Sequence, residues 1–297
     1  MATIDPLETM PVSPHARLLR WALRAWAAVI LVFIYLPIVV LIVFSFEDSK
    51  TIGFPIRGLS TRWYEGIPDN DQLVGAIWTS IVIAVVVAVV STLVGAMAAF
   101  PLVRARLRWP NAVRVLVTMP IMVPGVLLGV GLLVFLAGVL HIRLSLLTVV
   151  GGHLVLTMPF VVLIVSARLQ GFDRGLEWAA ADLGASPART LRHVVLPLIA
   201  PAIAAGALIS VTLSIDEFVV TFFTIGSQLT LPIYIYTQIK FGVTPEVNAV
   251  ATLLLIATVA TFAIGALAAA AFRRLGRLRR RTRSVAATTV VAREGGA

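Results

Sequence analysis

The chain contains no cysteine, which excludes disulfides, thiolate metal sites and cysteine nucleophiles. Charge is also scarce: 13% of the 297 residues are charged, whereas 59% are hydrophobic and the mean hydropathy is +0.99. A soluble domain has roughly 25% charged and 45–50% apolar residues. No stretch of domain length is polar enough to form a separate water-soluble domain. The composition therefore predicts an integral membrane protein.

Lysine is nearly absent as well, with two in the chain, Lys50 and Lys240. A phosphate-binding P-loop needs a glycine directly before its lysine, but Ser49 and Ile239 precede these two. None of the four histidines is followed by the glutamate of a zinc-protease helix, and the chain has no Gly-x-Ser-x-Gly motif. We therefore predict no catalytic residues, no metal site and no cofactor in this chain. Any energy for work must come from a partner or an ion gradient.

The apolar residues are grouped in runs that are long enough to cross a membrane. A spanning helix needs about 20 consecutive apolar residues. Six uncharged stretches meet this requirement: residues 25–44, 72–103, 115–140, 144–167, 194–215 and 248–272. No small-residue cleavage site follows the first stretch, so we interpret it as a retained helix rather than a signal peptide. The sequence predicts an all-α protein with six transmembrane helices.

Residues 218–239 are also uncharged and long enough to span, but the positive charges argue against a seventh span. With six spans and both termini inside, 19 of the 24 basic residues lie on the inner side and five lie outside. This distribution follows the positive-inside rule, which a seventh span would violate. Gly226, Ser227, Gln228 and Pro232 would also interrupt a helix here. We predict the outer end of the fifth helix followed by a partly buried extracytoplasmic loop.

The same distribution accounts for the net charge of +10. The arginines orient the chain and contact anionic lipid headgroups, so membrane lipid is an expected partner and nucleic acid is not. The predicted organisation is a cytoplasmic N-terminal segment at residues 1–20, a transmembrane domain at residues 21–275 and a basic cytoplasmic tail at residues 276–297.

The loop between the predicted fourth and fifth spans contains residues that typically begin and end helices. Asp173 can cap a first helix, with Glu177 near its positive end. Gly184 lies where that helix would end in a left-handed residue. Ser186 then caps a second helix, which has proline at its first position and runs to about residue 195. We predict a helix–glycine–helix elbow at residues 170–195, which by itself could dock in a partner or lie on the inner membrane surface.

The elbow resembles the loop motif of binding-protein-dependent ABC transporter permeases, which reads Glu-Ala-Ala, three residues, Gly, nine residues, Ile-x-Leu-Pro. The residues that carry the resemblance are Ala179, Ala180, Gly184, Val194, Leu196 and Pro197. Trp178 stands where the family has glutamate, and the nearest acid is Glu177. The resemblance implies an ABC type I importer permease fold, in which the elbow docks in an ATP-binding subunit. The implied ATPase-coupling residues are Glu177, Ala179, Ala180, Asp182, Gly184, Ala185 and Ser186.

Four further segments resemble the spermidine/putrescine permeases of this family: residues 119–129, 214–223, 231–236 and 242–249. This resemblance implies a permease subunit of the bacterial inner membrane that imports polyamines by alternating access. The same subfamily contains importers of ferric iron, phosphonates and opines, so one of these solutes is the alternative. A gradient-driven secondary carrier is a second alternative.

The family also implies partners. These are a homologous permease subunit, two cytoplasmic ATPase subunits and an extracytoplasmic solute-binding protein. ATP and Mg would be bound by the ATPase subunits, so this chain would not itself be an enzyme.

An acid pair at the predicted outer end of helix five is the candidate substrate site. Asp216 lies 20 residues after Leu196, or about 30 Å along a helix axis. Acids at such depth usually face a cavity or pore, and with Glu217 this one could bind ammonium groups. Alternatively, the two acids cap local structure or pair with Lys240. Trp63 and Tyr234 could line the path, although interfacial aromatic belts are a commoner reason for such residues.

Overall fold

The computed structural model describes residues 14–50, 52–105, 108–240, 242, 244–265 and 267. Within them the regular secondary structure is helical, and one isolated β-bridge joins Glu47 and Leu59. The α-helices are α1 (Pro14–Phe44), α2 (Arg62–Glu65), α3 (Asp71–Arg104), α4 (Pro110–Met122), α5 (Gly125–Leu133), α6 (Leu146–Gln170), α7 (Gly175–Asp182), α8 (Pro187–Thr190), α9 (Leu196–Asp216), α10 (Val219–Thr224), α11 (Leu231–Lys240) and α12 (Pro245–Gly265). A π-helical turn at Val134–Val139 extends α5, and another at Leu191–Val195 joins α8 to α9. The predicted all-α class is confirmed.

Two compact units make up the chain. The first contains the described residues within 1–65 and 242–252, and the second contains the described residues within 66–241 and 253–297. Helix α12 is divided between them, and the elbow lies in the second unit.

Five helical stretches are long and apolar enough to cross a membrane: α1, α3, α6, the continuous helix Pro187–Asp216, and α12. The pair α4 and α5 meets the same test when it is counted as one broken span, which makes six. Helix α1 begins at Pro14, inside the predicted N-terminal segment 1–20. The predicted tail at residues 276–297 lies outside the described residues.

The third predicted span is not one straight helix, because α4 and α5 meet at an angle of 97°. Two prolines cause the break. Pro120 has no N–H to bond to the carbonyl of Leu116, and Pro124 restricts Val123 to an extended conformation with ψ 126°. An uncharged run reports that a segment can enter the membrane, but it does not report the direction of the segment.

The core of the second unit is a three-helix cluster of α3, α6 and α9. Small residues let these helices approach closely: a Cβ on Gly95 would lie 2.9 Å from Cβ of Val161, and one on Gly206 would lie 3.2 Å from Cγ1 of the same valine. Across the same interface, the hydroxyl of Ser91 donates to Ser210 at 2.9 Å. Close packing of small residues and interhelical hydrogen bonds are the usual means by which membrane helices associate.

The second helix of the elbow does not end near residue 195, as the sequence predicts. It continues through the π-helical turn into α9, so residues 187–216 form one helix. Pro197 has no N–H for the carbonyl of His193, and the wider π turn accommodates the ring. A helix with an irregular turn can therefore carry two prolines, Pro197 and Pro201, without breaking.

The segment at residues 218–239 is not a span, as predicted, and it consists of two short helices. Helix α9 ends at Asp216, so the predicted outer end of the fifth helix is the separate helix α10. Helix α11 follows after residues 225–230 and packs against α3.

Candidate functional site

The turn and the second cap of the elbow lie where the sequence predicts them, whereas the N-cap of α7 is Arg174 and Asp173 precedes it. The carboxylate of Asp173 accepts a hydrogen bond from the amide of Gly175, the first residue of α7, at 2.8 Å. Gly184 has a left-handed φ of +79°. Ser186 is the N-cap of α8, and its hydroxyl accepts from the amide of Arg189 at 3.4 Å. Each of these positions satisfies helix-end groups that would otherwise lack partners.

The alanines beside Gly184 complete a Schellman motif. The amide of Ala185 donates to the carbonyl of Ala180 at 3.0 Å, and the amide of Gly184 donates to the carbonyl of Ala181 at 2.9 Å. These two bonds end α7 and reverse the chain within a few residues. The motif therefore explains why glycine and small residues occur together at this turn.

The elbow also exposes large apolar side chains. Leu183 is 89% exposed and Trp178 is 69% exposed, while Asp182 and Ala179 beside them are exposed too. Exposed apolar groups at this turn fit a surface that binds another protein or one that lies against the membrane.

The carboxylate of Glu177 forms its hydrogen bonds within this chain. Its two carboxylate oxygens accept hydrogen bonds from Arg104, the last residue of α3, at 2.5 and 2.6 Å. Next to this pair is a cavity of about 350 Å³ between α3 and the elbow. It is lined by Phe100, Arg104, Glu177, Ala181, Ala185, Pro187, Thr190, Leu191 and Val195. No local pattern indicates that residue 177 has a partner 73 positions earlier in the chain.

The predicted acid pair lies at the break between α9 and α10. Asp216 is the last residue of α9 and is exposed. Glu217 is half-buried, and its Oε1 accepts from the amide of Val220 at 2.8 Å, so it caps the start of α10. Neither acid is within ion-pair distance of Lys240 among the described residues; that ammonium lies over the ring of Tyr236, 5.1 Å from its centroid.

The two predicted aromatic path residues are held by hydrogen bonds in different units. In the second unit, Tyr234 is buried and its hydroxyl accepts a hydrogen bond from the side-chain Nδ2 of Asn70 at 3.0 Å. In the first unit, the indole N–H of Trp63 donates to the carbonyl of Glu47 at 2.7 Å. The described contacts give Tyr234 a structural role between α11 and the start of α3.

A buried histidine lies beside the acid pair, and the sequence reasoning did not single it out. His153 in α6 is 2% exposed; its Nδ1 lies 2.8 Å from the hydroxyl of Ser214 in α9, and its Nε2 lies 2.7 Å from the hydroxyl of Thr221 in α10. The hydroxyl of Thr221 also donates to the carbonyl of Glu217 at 2.7 Å. The signal available in the sequence was an ionisable residue inside an uncharged span.

These contacts assign the protons of the network. The hydroxyl of Thr221 has one hydrogen, which goes to the carbonyl of Glu217 because a carbonyl can only accept. Nε2 of the neutral imidazole must then donate to Thr221, and Nδ1 accepts from Ser214. The hydrogen bonds run in one direction from α9 through α6 to α10 and fix the break between α9 and α10.

Glycines let α10 pack close to its neighbours. A Cβ on Gly129 of α5 would lie 2.6 Å from Cδ2 of Phe223, and one on Gly152 of α6 would lie 2.6 Å from Cγ1 of Val220. Both distances are shorter than real Cβ contacts, so a larger residue at either position would force Phe223 or Val220 to shift. Within the described residues, no group of three or more His, Asp or Glu side chains is placed to hold a metal ion.

Comparison with known proteins agrees with this fold. Residues 91–281 match the family described as binding-protein-dependent transport system inner membrane component. The chain is 41% identical over 228 residues to the spermidine/putrescine transport system permease protein PotC of Escherichia coli K12, which covers 76% of this chain and 86% of PotC. It is 36% identical over 241 residues to the putrescine transport system permease protein PotI of the same strain, covering 77% and 85%.

Solved structures share the architecture at lower identity. A bacterial ABC transporter involved in the import of the acidic polysaccharide alginate superposes with a TM-score of 0.70 at 15% identity, covering 86% of this chain and 98% of that one. The chain belongs to the family of binding-protein-dependent transport system inner membrane components, as the elbow motif predicts. It is a multi-pass membrane protein with the ABC type I importer permease fold.

Gly184 should tolerate asparagine better than a β-branched residue. Nothing lies within 4 Å of a Cβ built at this position, so only the left-handed backbone restricts the side chain. We expect Gly184→Val to destabilise the purified chain by about 1–2 kcal/mol, because branched residues disfavour this conformation. Gly184→Asn should cost clearly less. Thermal unfolding in detergent measures both, and equal losses for the two variants would contradict the assigned turn.

Thr221 should be sensitive to loss of its hydroxyl. Thr221→Val leaves the Nε2–H of His153 and the carbonyl of Glu217 without a partner, and we expect it to lower the stability by about 1–3 kcal/mol. Thr221→Ser keeps both bonds and should behave nearly as the parent chain. Thr79→Val is the matched control, since the hydroxyl of Thr79 makes the same bond to the preceding turn on an exposed helix face. Thermal unfolding that does not separate Thr221→Val from Thr79→Val would refute the network.

Proposed function

We propose that this chain is the permease subunit of an ATP-driven importer that moves polyamines inward by alternating access. The observation that carries the proposal is the likeness to PotC and PotI, which are named for spermidine/putrescine and putrescine transport and match at 41% and 36% identity. The matches cover 76% and 77% of this chain, so each includes the elbow and most of the predicted transmembrane domain.

The importer would need partners that this chain does not supply. We infer a homologous permease subunit, two cytoplasmic ABC ATPase subunits and an extracytoplasmic solute-binding protein. The family description, binding-protein-dependent transport, supports the last of these. The lack of a P-loop lysine supports hydrolysis elsewhere, with ATP and Mg bound by the ATPase subunits and no enzyme activity here.

The proposed orientation places both termini in the cytoplasm of a bacterial cell, with the elbow at the inner face. The arginine distribution supports it, because most basic residues then lie on the inner side. Asp216, at the opposite end of the helix that starts in the elbow, would lie towards the outer side.

The elbow is the proposed contact for the ATPase. Leu183 and Trp178 would enter a groove of that subunit, and the Schellman motif around Gly184 would hold them rigidly in place. The coupling residues are Ala179, Ala180, Asp182, Gly184, Ala185 and Ser186, with Glu177 behind them. Because α8 continues into α9 as one helix, displacement of the elbow would move the far end of α9 without an intervening loop.

Asp216 is the proposed polyamine contact. It is exposed at the end of α9, and within the described residues its carboxylate forms no ion pair, so it can accept hydrogen bonds from an ammonium group. Glu217 uses one oxygen to cap α10 and has a second for substrate. Trp63 and Tyr234 already have hydrogen-bond partners, and we assign them no direct contact.

The alternatives differ in chemistry. A phosphonate permease would need cationic or amide donors near the site, whereas the break between α9 and α10 presents two acids. Ferric iron could use carboxylates, and an opine carries both charges, so uptake assays must include these solutes. A secondary carrier would work without an ATPase.

Because the chain has no cysteine, a single introduced cysteine can report both the orientation and the ATPase contact. A Leu183→Cys variant should react with an impermeant maleimide in inside-out vesicles but not in right-side-out vesicles, and the bound ATPase should protect it. Leu59→Cys, at a position that is also exposed, is the control and should react only from the outside. Labelling of the Leu183→Cys variant from outside, or labelling that the ATPase does not slow, would contradict the proposal.

Asp216→Asn should lower ATP-driven spermidine uptake by about tenfold, the equivalent of about 1.4 kcal/mol of lost interaction. The assay uses the assembled complex in proteoliposomes with its binding protein. Asp69→Asn, which removes an exposed acid elsewhere, is the matched control and should have little effect. If the parent complex transports ferric iron, a phosphonate or an opine and not spermidine or putrescine, the polyamine assignment is wrong.

A further inference from the structure

The ion pair between Arg104 and Glu177 joins the end of a span to the elbow. Arg104 is the last residue of α3, and Glu177 lies in the first turn of α7. The two are 73 positions apart in the chain, so the contact belongs to the tertiary structure and not to one helix. Each guanidinium nitrogen that takes part bonds a different carboxylate oxygen, which is the bidentate geometry that fixes direction as well as distance.

The surroundings of the pair hold it in place. The Arg104 guanidinium lies 5.7 Å from the ring centroid of Phe100 and 5.6 Å from that of Phe172. The side chains of Arg104 and Glu177 are 25% and 22% exposed, so water screens the pair less than it screens a surface pair. Removing one partner would leave the other charge without compensation in a half-buried position.

We infer that Arg104 and Glu177 form an internal tie through which movement of the elbow is passed to α3. The inference rests on the proposed function, because it concerns how movement of the ATPase subunit is passed to the transmembrane helices. In this arrangement both oxygens of Glu177 are used inside the permease, and the ATPase contact is left to exposed residues such as Leu183 and Trp178. Glu177 is a positioning residue, and the ion pair adds a path into α3 to the covalent paths from the elbow into α6 and α9.

Along the chain, the elbow leads into α6 and α9 but not into α3. The elbow continues into α9 through Leu191–Val195, whereas α3 is far away in the chain and its last turn contacts the elbow through Arg104. Val195, at the end of the π turn, packs in the same cluster as Ala99 of α3, which brings the two helices side by side above the pair. A rigid polar tie at the end of α3 would make α3 and α9 move together.

A charge exchange tests the tie. Arg104→Glu and Glu177→Arg should each lower ATP-driven spermidine uptake by the assembled complex by roughly tenfold. The double variant Arg104→Glu/Glu177→Arg should recover most of the uptake, because it restores one cation and one anion at the same sites. Arg104→Lys should be intermediate, since lysine keeps the charge but not the bidentate geometry. Arg114→Glu, a reversal at an exposed position of α4, is the control for charge alone.

The melting midpoint of the purified full-length chain in detergent, measured for the same variants, separates the tie from the proposed function. Lower midpoints in both single variants and recovery in the double variant, together with recovered uptake, support the inference. It is overturned if the single variants melt and transport as the parent does. It is also overturned if the midpoint recovers but uptake does not, because Glu177 then acts on another subunit. If the parent complex shows no ATP-driven uptake, the proposed function fails, and recovery of the midpoint alone then decides whether the pair stabilises the elbow.

Discussion

The structure of the second unit depends on how closely three helices approach one another around Val161. In hydrocarbon, apolar side chains gain little by leaving lipid, so helices associate through shape and through hydrogen bonds that lipid cannot make. Gly95 and Gly206 supply the shape by leaving room for the valine from two sides, and the bond between Ser91 and Ser210 adds the polar contact. Helix α6 carries His153 and leads into the elbow, while α9 carries Asp216. The same close approach therefore positions both candidate sites.

The two sites lie at opposite ends of one helix. Residues 187–216 are continuous, which corresponds to about 45 Å at 1.5 Å per residue. At one end, the Schellman motif fixes the elbow to the helix; at the other, the network of His153 fixes the break after Asp216. Between them, the π turn at Leu191–Val195 is the irregular part. Such π turns are frequent at functional positions and are among the usual sites of helix kinks. Bending of the helix, where it occurs, is expected at this turn.

The parts of the fold that the sequence predicted are those that local chemistry determines. The turn at Gly184 and the hydrogen bonds of Ser186 and Asp173 involve only neighbours within a few positions in the chain. Their roles were predictable without knowledge of the fold. Span number followed from hydropathy and charge. What could not be predicted depends on contacts between distant segments: the partner of Glu177, the hydrogen bonds of His153 and the burial of Tyr234. The bend between α4 and α5 has another origin, since prolines set the direction of a segment while hydropathy reports only its affinity for lipid.

That bend restricts what can surround the chain. Where a span breaks, backbone amides and carbonyls lose their helical partners, and acyl chains offer none in return. Around Val123 the chain is extended for a residue, and the carbonyl of Leu116 faces a proline that cannot donate to it. Such backbone is stable at membrane depth only against protein or water. Wherever residues 116–124 lie within the hydrocarbon layer, this flank of the permease needs protein or water beside it rather than acyl chains.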